Sequence, residues 1–143
     1  MTPDRWTLAL DAGDLSLPAG RVAVFHARAE ADLAGLSDDI LCIQGFKPDA
    51  DRLTARGFEV VQSTDGRAAA ALVQIVKSRA ATLSAIAEAA AMVGPGGILL
   101  IDGQKDEGIE AVLKQMRPVF GIDDVMSKSH GKLIRATVPD PVP

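Results

Sequence analysis

An open, mostly parallel α/β sheet with helices on both faces and an antiparallel hairpin at its C-terminal edge is the fold this sequence predicts. Three observations predict it. Apolar runs of strand length alternate with segments whose apolar residues recur at helical spacing. One run, 69–76, is apolar almost throughout, as a strand buried on both faces of a parallel sheet requires. The last third differs, with two strand-like runs joined by a short turn. Repeated strand–helix alternation gives parallel strands with right-handed crossovers.

The elements follow in chain order. Thr7-Leu8-Ala9-Leu10 predicts a short strand, followed by a turn-rich stretch to Gly20. Val22-Ala23-Val24-Phe25 predicts the first buried strand. Ala29, Leu33 and Leu36 form a short helical stripe, and Ile40-Leu41-Cys42-Ile43 the second strand. Gly45-Phe46-Lys47-Pro48 reads as a loop, after which Asp49 can cap a short helix that Gly57 ends. Phe58 to Val61 is a third strand and the 69–76 run a fourth.

Ser78 then suits the N-cap of the best helix, with Leu83, Ile86, Ala87, Ala90 and Val93 on one face. Gly94-Pro95 ends it, because glycine accepts the left-handed cap and proline cannot continue a helix. Ile98-Leu99-Leu100-Ile101 is a fully apolar strand, closed by Asp102-Gly103. Ile109, Val112, Leu113 and Met116 define a second amphipathic helix, with Glu110 and Lys114 as an i,i+4 pair on its other face. Pro118 stops it. Asp124 to Ser127 and Leu133 to Val138 are strands joined by Ser129-His130-Gly131-Lys132. The tail, 138–143, has three prolines in six residues and reads as a linker. The expected organisation is one domain over residues 1–138 and a Pro-rich tail over 139–143.

Composition narrows the function classes. A chain of 143 residues is long enough for one domain with a real core, and a hydrophobic fraction of 48% makes it globular. Aromatics are 3% of the chain, too few for a base-stacking platform of the single-strand-binding type, which needs several exposed rings. The net charge of −4 argues against strong autonomous binding to nucleic acid, while leaving room for a local basic patch. Cys42 is the only cysteine, so no intrachain disulfide forms; it lies in an apolar run and reads as a buried thiol. That usage fits a reducing cytoplasm. No segment approaches the ~20 apolar residues of a membrane span, so no membrane partner is expected.

The turn after the first strand is His26-Ala27-Arg28-Ala29-Glu30, and no glycine appears between Gly20 and Gly35. A nucleotide-binding sheet places glycine at that turn so that backbone can approach the ligand. A receiver-type phosphorylation domain needs paired acids there, and His26-Ala27 does not supply them.

The run 69–76, the helix after it, Val93-Gly94-Pro95-Gly96-Gly97-Ile98-Leu99-Leu100-Ile101-Asp102-Gly103, the next helix and the closing hairpin resemble the second half of a Rossmann-like class I S-adenosylmethionine-dependent methyltransferase domain. The segments Gln44-Gly45-Phe46-Lys47-Pro48-Asp49, Asp102-Gly103-Gln104-Lys105-Asp106-Glu107-Gly108-Ile109 and Ser127-Lys128-Ser129-His130-Gly131-Lys132 look like the N-terminal half of the bacterial 16S rRNA guanine-N2 methyltransferases. The resemblance covers nearly the whole chain. It implies two methyltransferase-type domains in tandem, of which the N-terminal one is degenerate and the C-terminal one binds cofactor and catalyses.

Two departures follow. The glycine turn is absent. Where the family has Asn-Pro-Pro-Phe at the end of the fourth strand, this chain has Gln74-Ile75-Val76-Lys77-Ser78-Arg79. Nothing there can orient a guanine amino group toward a methyl donor. The resemblance therefore implies no catalytic, cofactor-binding or metal residues in this chain, with S-adenosylmethionine belonging to the parent protein. It implies a C-terminal catalytic domain of the same parent chain as partner, and ribosomal RNA as a weak or indirect one.

Lys77 and Arg79 end a buried strand, and Lys128, His130 and Lys132 form the most basic short segment. These five are the candidate contacts for RNA or the partner domain, against the plain reading of solvated strand ends and a solvated turn. His26 sits at a strand's carboxyl end, where open α/β sheets bind ligands, but lacks a carboxylate or cysteine partner and reads as structural. Asp102 reads as a turn or cap residue. The expected function is a non-catalytic, pseudoenzyme-type domain of an rRNA methyltransferase that supports the catalytic half and substrate placement. The alternatives are an autonomous methyltransferase with a divergent cofactor turn and a purely structural packing module.

Overall fold

The computed structural model describes residues 2–143. Seven strands form one sheet in the order β3-β2-β1-β4-β5-β7-β6. They are β1 (Val22–Phe25), β2 (Ile40–Ile43), β3 (Glu59–Val61), β4 (Ala70–Gln74), β5 (Ile98–Gln104), β6 (Gly121–Lys128) and β7 (Gly131–Thr137). The first five pair in parallel, and β7 runs antiparallel between β5 and β6. The expected architecture is the observed one.

Alternation along the strands explains both faces. Ala23, Phe25, Ala71, Val73, Leu99 and Ile101 point into one core, against helices α3 (Arg79–Val93) and α4 (Ile109–Met116). Val22, Val24, Ala70, Leu72 and Leu100 point into the other, with Trp6 and Ala9 of α1 (Arg5–Asp11) and Leu53 of α2 (Lys47–Ala55). The period of two sends neighbouring apolar residues to opposite sides, so a continuous apolar run is needed to feed two cores. Ile109, Val112, Leu113 and Met116 of α4 are all buried, and burying each such side chain contributes roughly 1.5–3 kcal/mol. No described helix is long and apolar enough to cross a membrane.

Several local expectations are corrected. The helix α2 begins at Lys47 with Phe46 at its N-cap, so Asp49 lies in its first turn and does not cap it. Thr7–Leu10 lies inside α1, not a strand. Trp6 and Ala9, three apart, are the buried apolar residues there, and the Trp6 indole donates to the Asp32 carbonyl at 2.7 Å. The stripe Ala29, Leu33, Leu36 forms no helix, and residues 26–39 cross from β1 to β2 as irregular chain. Ala27, Ala29, Ala31 and Leu33 are buried at every second position, a spacing extended backbone satisfies. The buried backbone finds partners in side chains: Arg56 donates to the carbonyls of Ala29 and Ala31 at 2.6 and 2.8 Å, and Gln44 to that of Ala27 at 2.7 Å.

The hairpin turn is tighter than expected. It consists of Ser129 and His130, both left-handed with φ of 53° and 59°, while Gly131 and Lys132 already belong to β7. Positive φ at both central residues is the primed turn whose twist matches two-residue hairpins.

Elsewhere Ser78 caps α3 as expected, accepting from the Ala81 N–H. The buried face of α3 is turned toward Thr82, Ala85, Ile86, Ala89 and Ala90, with Ala87 exposed and Leu83 and Val93 half-buried. The helix is apolar nearly all round, so spacing alone does not fix its inward face. The Thr82 hydroxyl turns in and bonds both the N–H and the carbonyl of Val76 at 3.1 Å. Among the described residues Glu110 and Lys114 form no ion pair.

Candidate functional site: the carboxyl edge of the sheet

The strand order turns at β1, which lies between β2 and β4. In open α/β sheets the crevice outside the carboxyl ends at such a point is where ligands bind. Here it is an open cleft of about 350 Å³ whose walls include His26, Gln44, Phe46, Ile75, Lys77 and Glu107.

The floor of that cleft is tied together by its own side chains. The Arg28 N–H donates to Gln74 Oε1 at 2.9 Å, and its guanidinium reaches the Ile75 carbonyl at 3.1 Å and Glu107 Oε2 at 2.5 Å. The other Glu107 oxygen accepts the Gln104 N–H at 2.9 Å. One arginine from the β1–β2 crossover thus joins the ends of β4 and β5. Gln44, at the end of β2, donates to the Ala27 carbonyl and accepts the Phe46 N–H at 2.9 Å.

S-adenosylmethionine, which the resemblance implies for the parent, does not fit these residues. Where a glycine would admit the ligand, His26 holds a left-handed φ of 54° and carries a full side chain. The guanidinium of Arg28 crosses the strand ends, and the carboxamide of Gln44, which has no charge to offer a ribose diol, is already paired on both sides. No helix starts behind the turn, so no helix N-terminus faces the cleft at β1. Among the described residues no group of acidic, histidine and cysteine side chains could hold a metal ion.

Beside this edge lies a buried ion pair. Arg5 Nε and Nη2 meet the two oxygens of Asp102 at 2.6 and 3.0 Å, and Nη1 reaches the carbonyls of Lys128 and Ser129 at 3.2 and 3.3 Å. Asp102 is therefore not a turn or cap residue; it stands within β5 and anchors α1 to the hairpin. A Cβ on Gly131 would come within 2.6 Å of Arg5 Nη1, so only glycine leaves room for the guanidinium. Burial pushes the Asp102 carboxyl above its ordinary value, and the hydrogen bonds and charge of Arg5 offset only part of that.

The five expected contact residues all lie on this carboxyl edge, in two groups. Lys77 is exposed on the cleft wall. Arg79, two residues on, turns away and reaches Gln115 of α4 at 3.2 Å. Lys128, His130 and Lys132 share a shallow depression of about 280 Å³, and Lys132 Nζ donates to the Ser127 hydroxyl at 2.8 Å. Lys105 joins that group, its N–H donating to the His130 carbonyl at 2.9 Å. Sequence reasoning missed Lys105, Arg28, Glu107 and Phe46 as site residues. Arg28 and Glu107 meet across 79 positions of chain, and no local pattern announces such a pairing.

No family model and no curated protein sequence matches the chain. Solved structures do. The T. thermophilus 16S rRNA N2 G1207 methyltransferase, solved in complex with AdoMet and guanosine, superposes with a TM-score of 0.74 at 17% identity, over 95% of this chain. The chain spans 40% of that protein's length. An rRNA methylase from Streptococcus thermophilus matches with a TM-score of 0.65 at 19% identity, over 98% of this chain and 99% of its own. A ribosomal protein L11 methylase from Lactobacillus delbrueckii subsp. bulgaricus matches with a TM-score of 0.65 at 11% identity, over 93% of this chain and 76% of its own. The chain has the Rossmann-like fold of the S-adenosylmethionine-dependent methyltransferases.

Proposed function

We propose that this chain is a non-catalytic methyltransferase-fold domain that supports a catalytic methyltransferase domain of the same parent protein and helps to place ribosomal RNA. Residues 1–138 are the domain, and 139–143 the start of the connection to the catalytic half. One observation carries the reading: Arg28, bound to Gln74, Ile75 and Glu107, ties up the polar groups at the strand ends, on the floor of the open cleft where this fold would hold its cofactor. The match to 40% of the longer T. thermophilus protein supports a domain that works beside a second one in the same parent. S-adenosylmethionine is then the cofactor of that second domain, and the cytoplasm the compartment.

The candidate contacts to RNA or to the partner domain are Lys77, Arg79, Lys128, His130 and Lys132, with Arg79 turned toward α4 and Lys105 added by its place in the hairpin depression. Phosphate contacts explain how a domain of net charge −4 can meet RNA: the positive charge is local and weak overall.

Photocrosslinking with radiolabelled S-adenosylmethionine tests the first half of the reading; no saturable label on the chain is expected, and saturable label overturns it. A salt titration of binding to ribosomal RNA tests the second half. The Lys128→Ala/Lys132→Ala double is expected to lower the log–log slope by roughly 0.7 to 0.9 for each phosphate no longer neutralised. If that double and Lys77→Ala/Arg79→Ala both match wild type in affinity and slope, the domain only packs against its partner.

A further inference from the structure

The cleft that does not fit the cofactor keeps three side chains with no partner among the described residues: the Phe46 ring, the His26 imidazole and the Lys77 ammonium. Phe46 is 62% exposed, the most exposed large hydrophobic side chain among the described residues. It is not loose. Its N–H is held by Gln44 Oε1 at 2.9 Å, and it stands at the N-cap of α2. His26 is held in the left-handed region, with its N–H donating to the Ile43 carbonyl at 2.9 Å. Such strain gathers at ligand sites. The charges on the floor cancel, because Glu107 faces Arg28 at 2.5 Å. Lys77 and Asp49 are the remaining charges on the walls.

We propose that this cleft takes one nucleotide of single-stranded RNA, with its base stacked on Phe46 and its phosphate at Lys77. This rests on the RNA-placing role proposed above and names a site for it. A solvent-facing aromatic ring and a cation on the walls of one cleft supply the two elements of single-strand recognition, because every base has a π-face and every nucleotide a phosphate. The His26 imidazole, donor at one nitrogen and acceptor at the other when neutral, can meet a base edge. Asp49 offsets part of the Lys77 field, so stacking carries most of the affinity and binding is weak at physiological salt. A volume of about 350 Å³ lies at the small end for ligand clefts and suits one nucleotide, not a longer run.

Fluorescence anisotropy with a short end-labelled oligoadenylate at low salt tests this. Phe46→Ala is expected to weaken binding by about five-fold or more and Phe46→Trp to restore it. Lys77→Ala is expected to weaken binding and to lower the log–log salt slope by about 0.7. Lys114→Ala, on the exposed side of α4, is expected to change nothing. Phe46 is exposed, so its replacement leaves the core intact. If wild type binds and Phe46→Ala binds equally well, the cleft is not the site, while the RNA-placing role survives through the hairpin lysines. If wild type does not bind at low salt, both fall.

Discussion

Arg5 and Asp102, 97 positions apart in sequence, meet in a buried two-pronged ion pair with side chains 5% and 7% exposed. The pair fastens the N-terminal helix to β5 and, through the carbonyls of Lys128 and Ser129, to the hairpin. Removing one member leaves the other charge buried and alone, which costs about 3–5 kcal/mol. Arg5→Ala and Asp102→Asn are therefore each expected to lower the urea midpoint strongly. The double Arg5→Met/Asp102→Leu is expected to recover most of the loss, since an apolar pair of similar bulk has no desolvation cost. Equilibrium unfolding in urea measures all three.

The same pair sets a pH dependence. Asp102 is held above the ordinary carboxyl value of 3.8, burial being the larger cause. Between 3.8 and that raised value the native state binds more protons than the unfolded one, so stability falls as pH rises through this window. Wild type is expected to lose stability there relative to Arg5→Met/Asp102→Leu. Urea unfolding across the acidic range checks it, and a difference that grows with pH in favour of wild type contradicts it.

Cys42 is fully buried, and burial pushes its thiol up to about 11. Only thiolate is an effective nucleophile. Iodoacetamide in mildly alkaline buffer is expected to leave the native chain unmodified and to alkylate Cys42 only as fast as the chain unfolds. Prompt labelling in native buffer contradicts this.

Arg56 supplies two hydrogen bonds to carbonyls of the β1–β2 crossover, at 2.6 and 2.8 Å. Arg56→Ala is expected to cost about 1–2 kcal/mol, less than a fully buried charge-assisted pair because the side chain borders solvent. The effect should be local: amide exchange at residues 27–33 should quicken while β4 and β5 stay protected. Uniform quickening across the sheet contradicts this.

The sheet, its two cores and the C-terminal hairpin are legible in the sequence because periodicity reports them directly. Val22–Phe25, Ile40–Ile43 and Ile98–Ile101 leave little choice but buried strands. The first crossover is not legible. Ala29, Leu33 and Leu36 satisfy a helical stripe, yet Arg56, Gln44 and Trp6, remote in sequence, hold the segment irregular. Short apolar runs are ambiguous in the same way at Thr7–Leu10, where burial of Trp6 and Ala9 selects a helix. Of the site, the missing glycine turn is legible and the Arg28–Glu107 tie across the strand ends is not. Arg28 and Glu107 read as ordinary charged residues until folding brings them within 2.5 Å.

The central claim is that the chain's own side chains have taken up the polar groups at the strand ends that would hold the cofactor, leaving the cleft open but without a cofactor site. Titration calorimetry of the purified chain with S-adenosylmethionine tests it most directly. The account predicts no saturable heat with ligand up to millimolar concentration, because His26, Arg28 and Gln44 stand where the ligand would be held. A dissociation constant below about 100 μM, roughly −5.5 kcal/mol of binding free energy, contradicts it and makes the chain a cofactor-binding methyltransferase domain with a divergent turn.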